Sequence, residues 1–146
     1  MNTVEPSVTR CEELGLSALR ALYEPLGLQV VEVAAGENIP GSYWGECEAG
    51  LIGNRLYLRG DTPVHSALHE GCHWLCADQG RRAQLHTDAG GDDIEENAVC
   101  YLQCLLAERI AGYSRARCFA DMDACARVAF VADLGEVEGA SLTEMF

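Results

Sequence analysis

Basic side chains are scarce in this sequence: 10 Lys and Arg stand against 23 Asp and Glu, for a formal net charge of -13. A surface that acidic repels phosphate backbones and anionic lipid, which argues against nucleic acid and acidic membranes and leaves basic or neutral partners open. Long apolar runs are missing as well, so no segment reads as a bilayer-spanning helix. The opening MNTVEPSVTR lacks the apolar stretch that follows a basic start in secretory signals, and a cytoplasmic address is the expectation. There is no internal repeat, no low-complexity tract and no Pro/Gly/Ser linker. The 146 residues are therefore expected to form a single domain, 1–146, with an acidic tail from about 134. Without a signal peptide, the eight cysteines read as reduced and mostly buried thiols, packing as small hydrophobes.

What is present begins with CEELGLSALRALYEPLG, where Leu16, Ala18, Leu19 and Leu22 recur near helical spacing until Pro25 and Gly27 end the pattern. LQVVEVA, residues 28–34, is short and rich in β-branched side chains and reads as a strand. Between Ser42 and Arg59 two extended segments flank Gly53-Asn54, which suits a two-residue hairpin turn, with Ala49-Gly50 as the other placement. These segments predict a small antiparallel sheet of about three strands. Asp61 or Thr62 can cap a following helix that accepts Pro63 in its first turn. That helix runs through PVHSALHEGCHWLCADQG to Gly80, with Val64, Leu68, Gly71, Cys72 and Leu75 sharing one face. A second helix is expected over about Asp92 to Ala111, with acids in its first turn, and a third over Arg117 to Asp133. Helix, strands and then helices make an α+β arrangement.

Chemistry concentrates at His69-Glu70-Gly71-Cys72-His73. Residues four apart on a helix project from one face, so both imidazoles can reach a single cation while Glu70 stands beside them. A catalytic zinc ion usually takes three protein ligands and keeps one position open, so a third ligand is needed. Glu95 and Glu96, at the start of the next helix, are the candidates. Stepping about 100° per residue from Glu95 places Ala98, Val99, Leu102 and Leu106 within a broad stripe on its own side, which favours Glu95 over Glu96.

A His-Glu-x-x-His helix followed by a helix carrying Glu95-Glu96-Asn97-Ala98, a Glu-x-x-Ala pattern, resembles the gluzincin metallopeptidases in their minimal single-domain form. The resemblance spans about Leu56 to Ala111, with specific motifs only at residues 69–73 and 95–98. It implies a zincin-like domain holding one Zn2+ through His69, His73 and Glu95. It also implies that Glu70 is the general base for hydrolysis of a peptide bond. In several gluzincins an aspartate four residues after the ligand glutamate supports a zinc-bound histidine; here that position is Val99, so Asp88, Asp92, Asp93 or a backbone carbonyl must serve.

Such a mechanism needs a donor for the developing oxyanion, and His86, Tyr101 and Tyr113 are the candidates, with the loop histidine His86 preferred. His65, one turn before His69, reads as a partly buried helix histidine. The segment Ser42 to Glu48 is a candidate edge strand for an extended peptide, as the resemblance implies, and Glu46 and Glu48 there would favour basic peptide or protein substrates. Cys72 with Cys76 and Cys100 with Cys104 are spaced for a four-thiolate site or helix-stapling disulfides, but Cys100 and Cys104 lie far round the helix from Glu95, so the two pairs are not expected to meet. Two other readings compete with the hydrolase: a non-catalytic zinc-containing interaction domain, and a cysteine-rich redox or metal-binding helical protein. The sequence does not fix an oligomeric state.

Overall fold

The computed structural model describes residues 8–42, 47–85 and 93–134, with the backbone alone at 79, 93 and 126–134. The N-terminal helical segment is divided at Gly15 into α1 (Cys11–Leu14) and α2 (Leu16–Tyr23). Gly15 has φ +85, a conformation that a side chain makes costly, so the helical periodicity continues while the axis does not. Leu19 and Tyr23, one turn apart, are the buried residues that seat α2 on the core. A single 3-10 turn over Glu24–Leu26 takes up Pro25, and Gly27, at φ +104, closes it.

Strands β1 (Gln29–Val33), β2 (Gly50–Ile52) and β3 (Arg55–Arg59) form one sheet in the order β1-β3-β2. The β2–β3 hairpin turns at Gly53-Asn54, where Gly53 takes φ +57. The expectation of a wholly antiparallel sheet does not hold, because β1 runs parallel to β3. The chain leaves Val33, crosses to the far side and enters the sheet again at β2, so the returning strand β3 meets β1 in the same direction. That register sets Val30 and Leu51 on either side of Leu56, and all three are buried in one row.

Helix α3 (Val64–Cys76) carries the His-Glu-x-x-His residues. Its N-cap is Pro63, not Asp61 or Thr62, and no side chain caps it. Both expected caps are committed to Arg59: Thr62 Oγ1 accepts its backbone N–H at 3.0 Å, and Asp61 pairs with its guanidinium at 2.6 Å. At the other end Arg82, from the short helix α4 (Gln79–Arg82), donates Nε to the Trp74 carbonyl at 2.8 Å and lies 3.9 Å over the Trp74 ring. The orphan carbonyls of α3 thus find a cationic partner. Trp74 Nε1 in turn donates to Asn54 Oδ1 at 2.9 Å, which fixes the hairpin turn to the helix.

Gly71 lies where Tyr23 crosses α3: a Cβ there would overlap the Tyr23 ring, whose hydroxyl donates to the Leu68 carbonyl at 3.0 Å. Helix propensity alone would favour Gly71→Ala by about 1 kcal/mol. Overpacking costs about 1–3 kcal/mol, and the lost Tyr23 hydrogen bond adds to it. Gly71→Ala is therefore expected to destabilise the protein, read as a lowered urea midpoint; an unchanged or raised midpoint would contradict this packing.

Helices α5 (Asp93–Ala107) and α6 (Arg115–Leu134) complete the fold, with α5 lying along α3. Helix α5 ends short of the expected Ala111, where Arg109 N–H bonds to the Leu106 carbonyl at 2.9 Å and Ile110 N–H to that of Ala107 at 3.3 Å. Buried Asp121 of α6 ties the two termini of the fold together, accepting from Thr9 N–H at 3.2 Å and the Tyr113 hydroxyl at 3.0 Å and pairing with Arg117 at 3.0 Å. Among the described residues no helix is long and apolar enough to cross a membrane. The architecture is a small α+β domain, as the element order predicts.

Candidate metal centre

His69 and His73 stand one turn apart on α3, with their Nε2 atoms 3.2 Å from each other and their rings nearly perpendicular at 79°. The carboxylate of Glu96 on α5 faces both, Oε1 lying 2.8 Å from His73 Nε2 and Oε2 3.6 Å from His69 Nε2. Glu95 also reaches His73, but at the other ring nitrogen: its Oε1 is 3.4 Å from Nδ1 and 2.5 Å from the Arg81 guanidinium. The two neighbouring glutamates thus take opposite sides of one imidazole.

This differs from the roll of α5 expected from its apolar residues. The helix is apolar nearly all the way round, and Ile94, Ala98, Tyr101 and Leu105 form an exposed outer stripe. The side turned to α3 carries Glu96, Cys100, Gln103 and Ala107, at helical steps of four, three and four. Val99, Gln103 and Ala107 are fully buried there. Cys100 was expected to face away from α3; instead its thiol joins His69 and Glu96 in a candidate metal-binding group whose ligand atoms lie within 4.8 Å of one another. The two cysteine pairs also approach each other, since Cys100 and Cys104 are both near enough to disfavour a thiolate at Cys72. All eight cysteines are free thiols, and burial pushes Cys72 up to about 12.

The protonation pattern follows from Gln103. Its Nε2 donates to the His65 backbone carbonyl at 2.7 Å, and a carbonyl can only accept, so the amide orientation is set. Gln103 Oε1 therefore faces His69 Nδ1, 3.1 Å away, and the hydrogen-bond network assigns the His69 proton to Nδ1. His73 Nδ1 faces the Glu95 carboxylate, which can only accept a hydrogen bond from it. Arg81 first, and His73 with it, hold the Glu95 carboxyl below its usual range, so it stays ionised. Burial, followed by the neighbouring His73, lowers the His69 pKa and favours the neutral ring. Both Nε2 atoms converge with the Glu96 carboxylate on one point. Two ring nitrogens and a carboxylate this close are satisfied by a shared cation or proton.

The spacing suits a small divalent ion. Zinc bonds of about 2.0–2.2 Å to nitrogen and oxygen at tetrahedral angles put ligand atoms about 3.3–3.5 Å apart, and the observed separations are 2.8, 3.2 and 3.6 Å. The His73 side chain is only 6% exposed while that of Glu96 is 46% exposed, so the convergence point opens to solvent on the α5 side.

Of the remaining expected residues, Glu70 follows His69 on α3 and is half-buried. His86, with Asp88 and Asp92, lies outside the described residues, as do residues 43–46 of the expected edge strand. Tyr101 is 61% exposed and sits about 140° round α5 from Glu96, and Tyr113 commits its hydroxyl to Asp121. Neither tyrosine is brought to the centre. His65 is half-buried with Nε2 3.1 Å from Cys125 Sγ, and burial lowers its pKa to about 4. Its backbone carbonyl, not its ring, serves the centre. The support expected from aspartates or a backbone carbonyl comes from Gln103 for His69 and from Glu95 for His73. Gln103 was legible only as a polar residue in a helix otherwise rich in apolar ones, and Arg81 carried no signal beyond its charge.

Fold and site together define a small α+β domain with a candidate metal centre between two helices. Compared with known protein families, curated proteins and solved structures, the chain matches none at a significant level.

Proposed function

We propose that the protein is a zinc-dependent hydrolase acting on peptide bonds or closely related amides, with His69, His73 and Glu96 holding the ion. The observation that carries this reading is the convergence of two imidazole Nε2 atoms and one carboxylate, each imidazole met from behind by Gln103 or Glu95. Nitrogen and carboxylate donors of this kind suit zinc, and outer partners of this kind are what fix the tautomer of metal-binding histidines. A bound zinc ion supplies Lewis acidity, polarising a carbonyl group and acidifying water.

The chain's own residues supply the rest. Glu70, next to His69 on α3, is the carboxylate that takes a proton from water and returns it to the leaving amine. Arg81 keeps Glu95 ionised, and Glu95 keeps the His73 proton on Nδ1. Net charge of -13 favours basic or neutral peptides over acidic ones. The competing reading, a non-catalytic zinc-containing domain, draws on the nearness of Cys100, since a structural site closes with a fourth protein ligand.

The test is elemental analysis of native protein together with hydrolysis of a mixed peptide library before and after chelation. One zinc per chain and cleavage lost on chelation and restored by zinc support the reading; metal-free native protein that fails to bind added zinc ends it. Gln103→Leu tests the outer partner. It leaves the buried His69 Nδ1 proton without its acceptor, and is expected to cost about 1–3 kcal/mol. Zinc affinity is expected to fall about 10–100-fold. Urea unfolding and a competition titration against a chelator read the two effects separately, and unaltered affinity would remove Gln103 from the centre.

A further inference from the structure

We propose that Cys100 supplies a fourth donor, a thiolate, to the ion held by His69, His73 and Glu96, so that the centre rests closed and latent. This rests on the zinc reading above. Cys100 lies one turn beyond Glu96 on the face of α5 that α3 covers, and its sulfur is within 4.8 Å of the ligand atoms of both His69 and Glu96. Cys100 is partly buried and shares α5 with Glu96, on whose side the centre opens to solvent. Zinc–sulfur bonds of about 2.3 Å and zinc–nitrogen bonds of about 2.0–2.1 Å at tetrahedral angles put the two donors about 3.6 Å apart. An inward turn of the Cys100 side chain brings its sulfur towards bonding distance of an ion shared with His69 and Glu96.

A thiolate also changes which ion the centre prefers. Two imidazoles, a carboxylate and a sulfur favour zinc and cobalt over magnesium, calcium or manganese, which take oxygen donors. While sulfur is bound no position remains for substrate, and hydrolysis requires Cys100 to leave the ion first. Metal-bound thiolate and, after uptake of one proton from water, free thiol are thus the closed and open states of one site.

Cobalt(II) added to the metal-free full chain under reducing conditions tests this. Wild type is expected to show the visible bands of a tetrahedral ion together with a near-ultraviolet thiolate-to-cobalt charge-transfer band. Cys100→Ser is expected to keep the visible bands and lose the charge-transfer band, while Cys76→Ser keeps both. Far-UV circular dichroism matching wild type qualifies each variant, and Cys100→Ala replaces the serine variant if that one does not fold. Visible bands without the charge-transfer band in wild type, or a charge-transfer band that survives Cys100→Ser, overturn the proposal and leave the three-ligand reading standing. Neither kind of band in wild type overturns both.

Discussion

Glu96→Gln is expected to abolish stoichiometric zinc, whereas Glu95→Gln only weakens it. The two changes are isosteric, lie one residue apart and remove the same charge, so a difference between them reports direct ligation and not the general field of the site. Glu96 faces the Nε2 atoms of both histidines, at 2.8 and 3.6 Å, so under the zinc reading its amidation removes a ligand from the ion. Glu95 faces Nδ1 of His73 and the Arg81 guanidinium, so its amidation removes an outer partner. Such partners are worth about 10–100-fold in affinity, and Glu96→Gln should exceed that range. Zinc per chain after gel filtration, with a chelator competition for each variant, makes the comparison. The opposite order would return the ligand role to Glu95, as the sequence periodicity had placed it.

Glu70→Gln is expected to keep the metal and lose the chemistry. A positioned general base contributes about 10²–10⁴-fold. Because the proton transfer is made in the transition state, kcat and kcat/KM should fall together by that factor. Zinc content, circular dichroism and the urea midpoint should stay near wild type, since Glu70 is half-buried and outside the ligand set. Full activity in Glu70→Gln would remove it as the base, whereas bound zinc with no hydrolysis by the wild type would favour the non-catalytic reading.

The pairing of His69 with His73 was legible in the sequence because it is a local property. A four-residue step on a helix brings two side chains together whatever surrounds them. The same holds for the Gly53-Asn54 turn and for the stop at Gly27, where the backbone needs positive φ. Helix ends were less legible: α3 stops at Cys76 and not Gly80, α5 at Ala107 and not Ala111, Gly15 divides the first helix, and the caps expected at Asp61 and Thr62 were taken by Arg59.

The choice between Glu95 and Glu96 was not local. One residue of helix is about 100° of rotation. Helix α5 is apolar over so much of its circumference that several rolls bury a comparable area. Ile94, Tyr101 and Leu105 were as eligible for the core as Val99 and Leu106, yet they are exposed. What selected the observed roll is the fit of Val99, Gln103 and Ala107 beneath α3, including the buried Gln103 amide, which is satisfied only at His65 and His69. That roll carried Glu96 and Cys100 to the histidines and sent Glu95 to Arg81. The parallel pairing of β1 with β3 was hidden in the same way, since strand alternation fixes which face is buried but not which neighbour lies alongside.

The sequence by itself determined an α+β chain with two histidines aimed from one helix face, because backbone geometry over a single turn is enough to do that. Tertiary structure alone decided which carboxylate, which thiol and which amide meet them, because the roll of one helix on another depends on packing contributed by residues far apart in the chain.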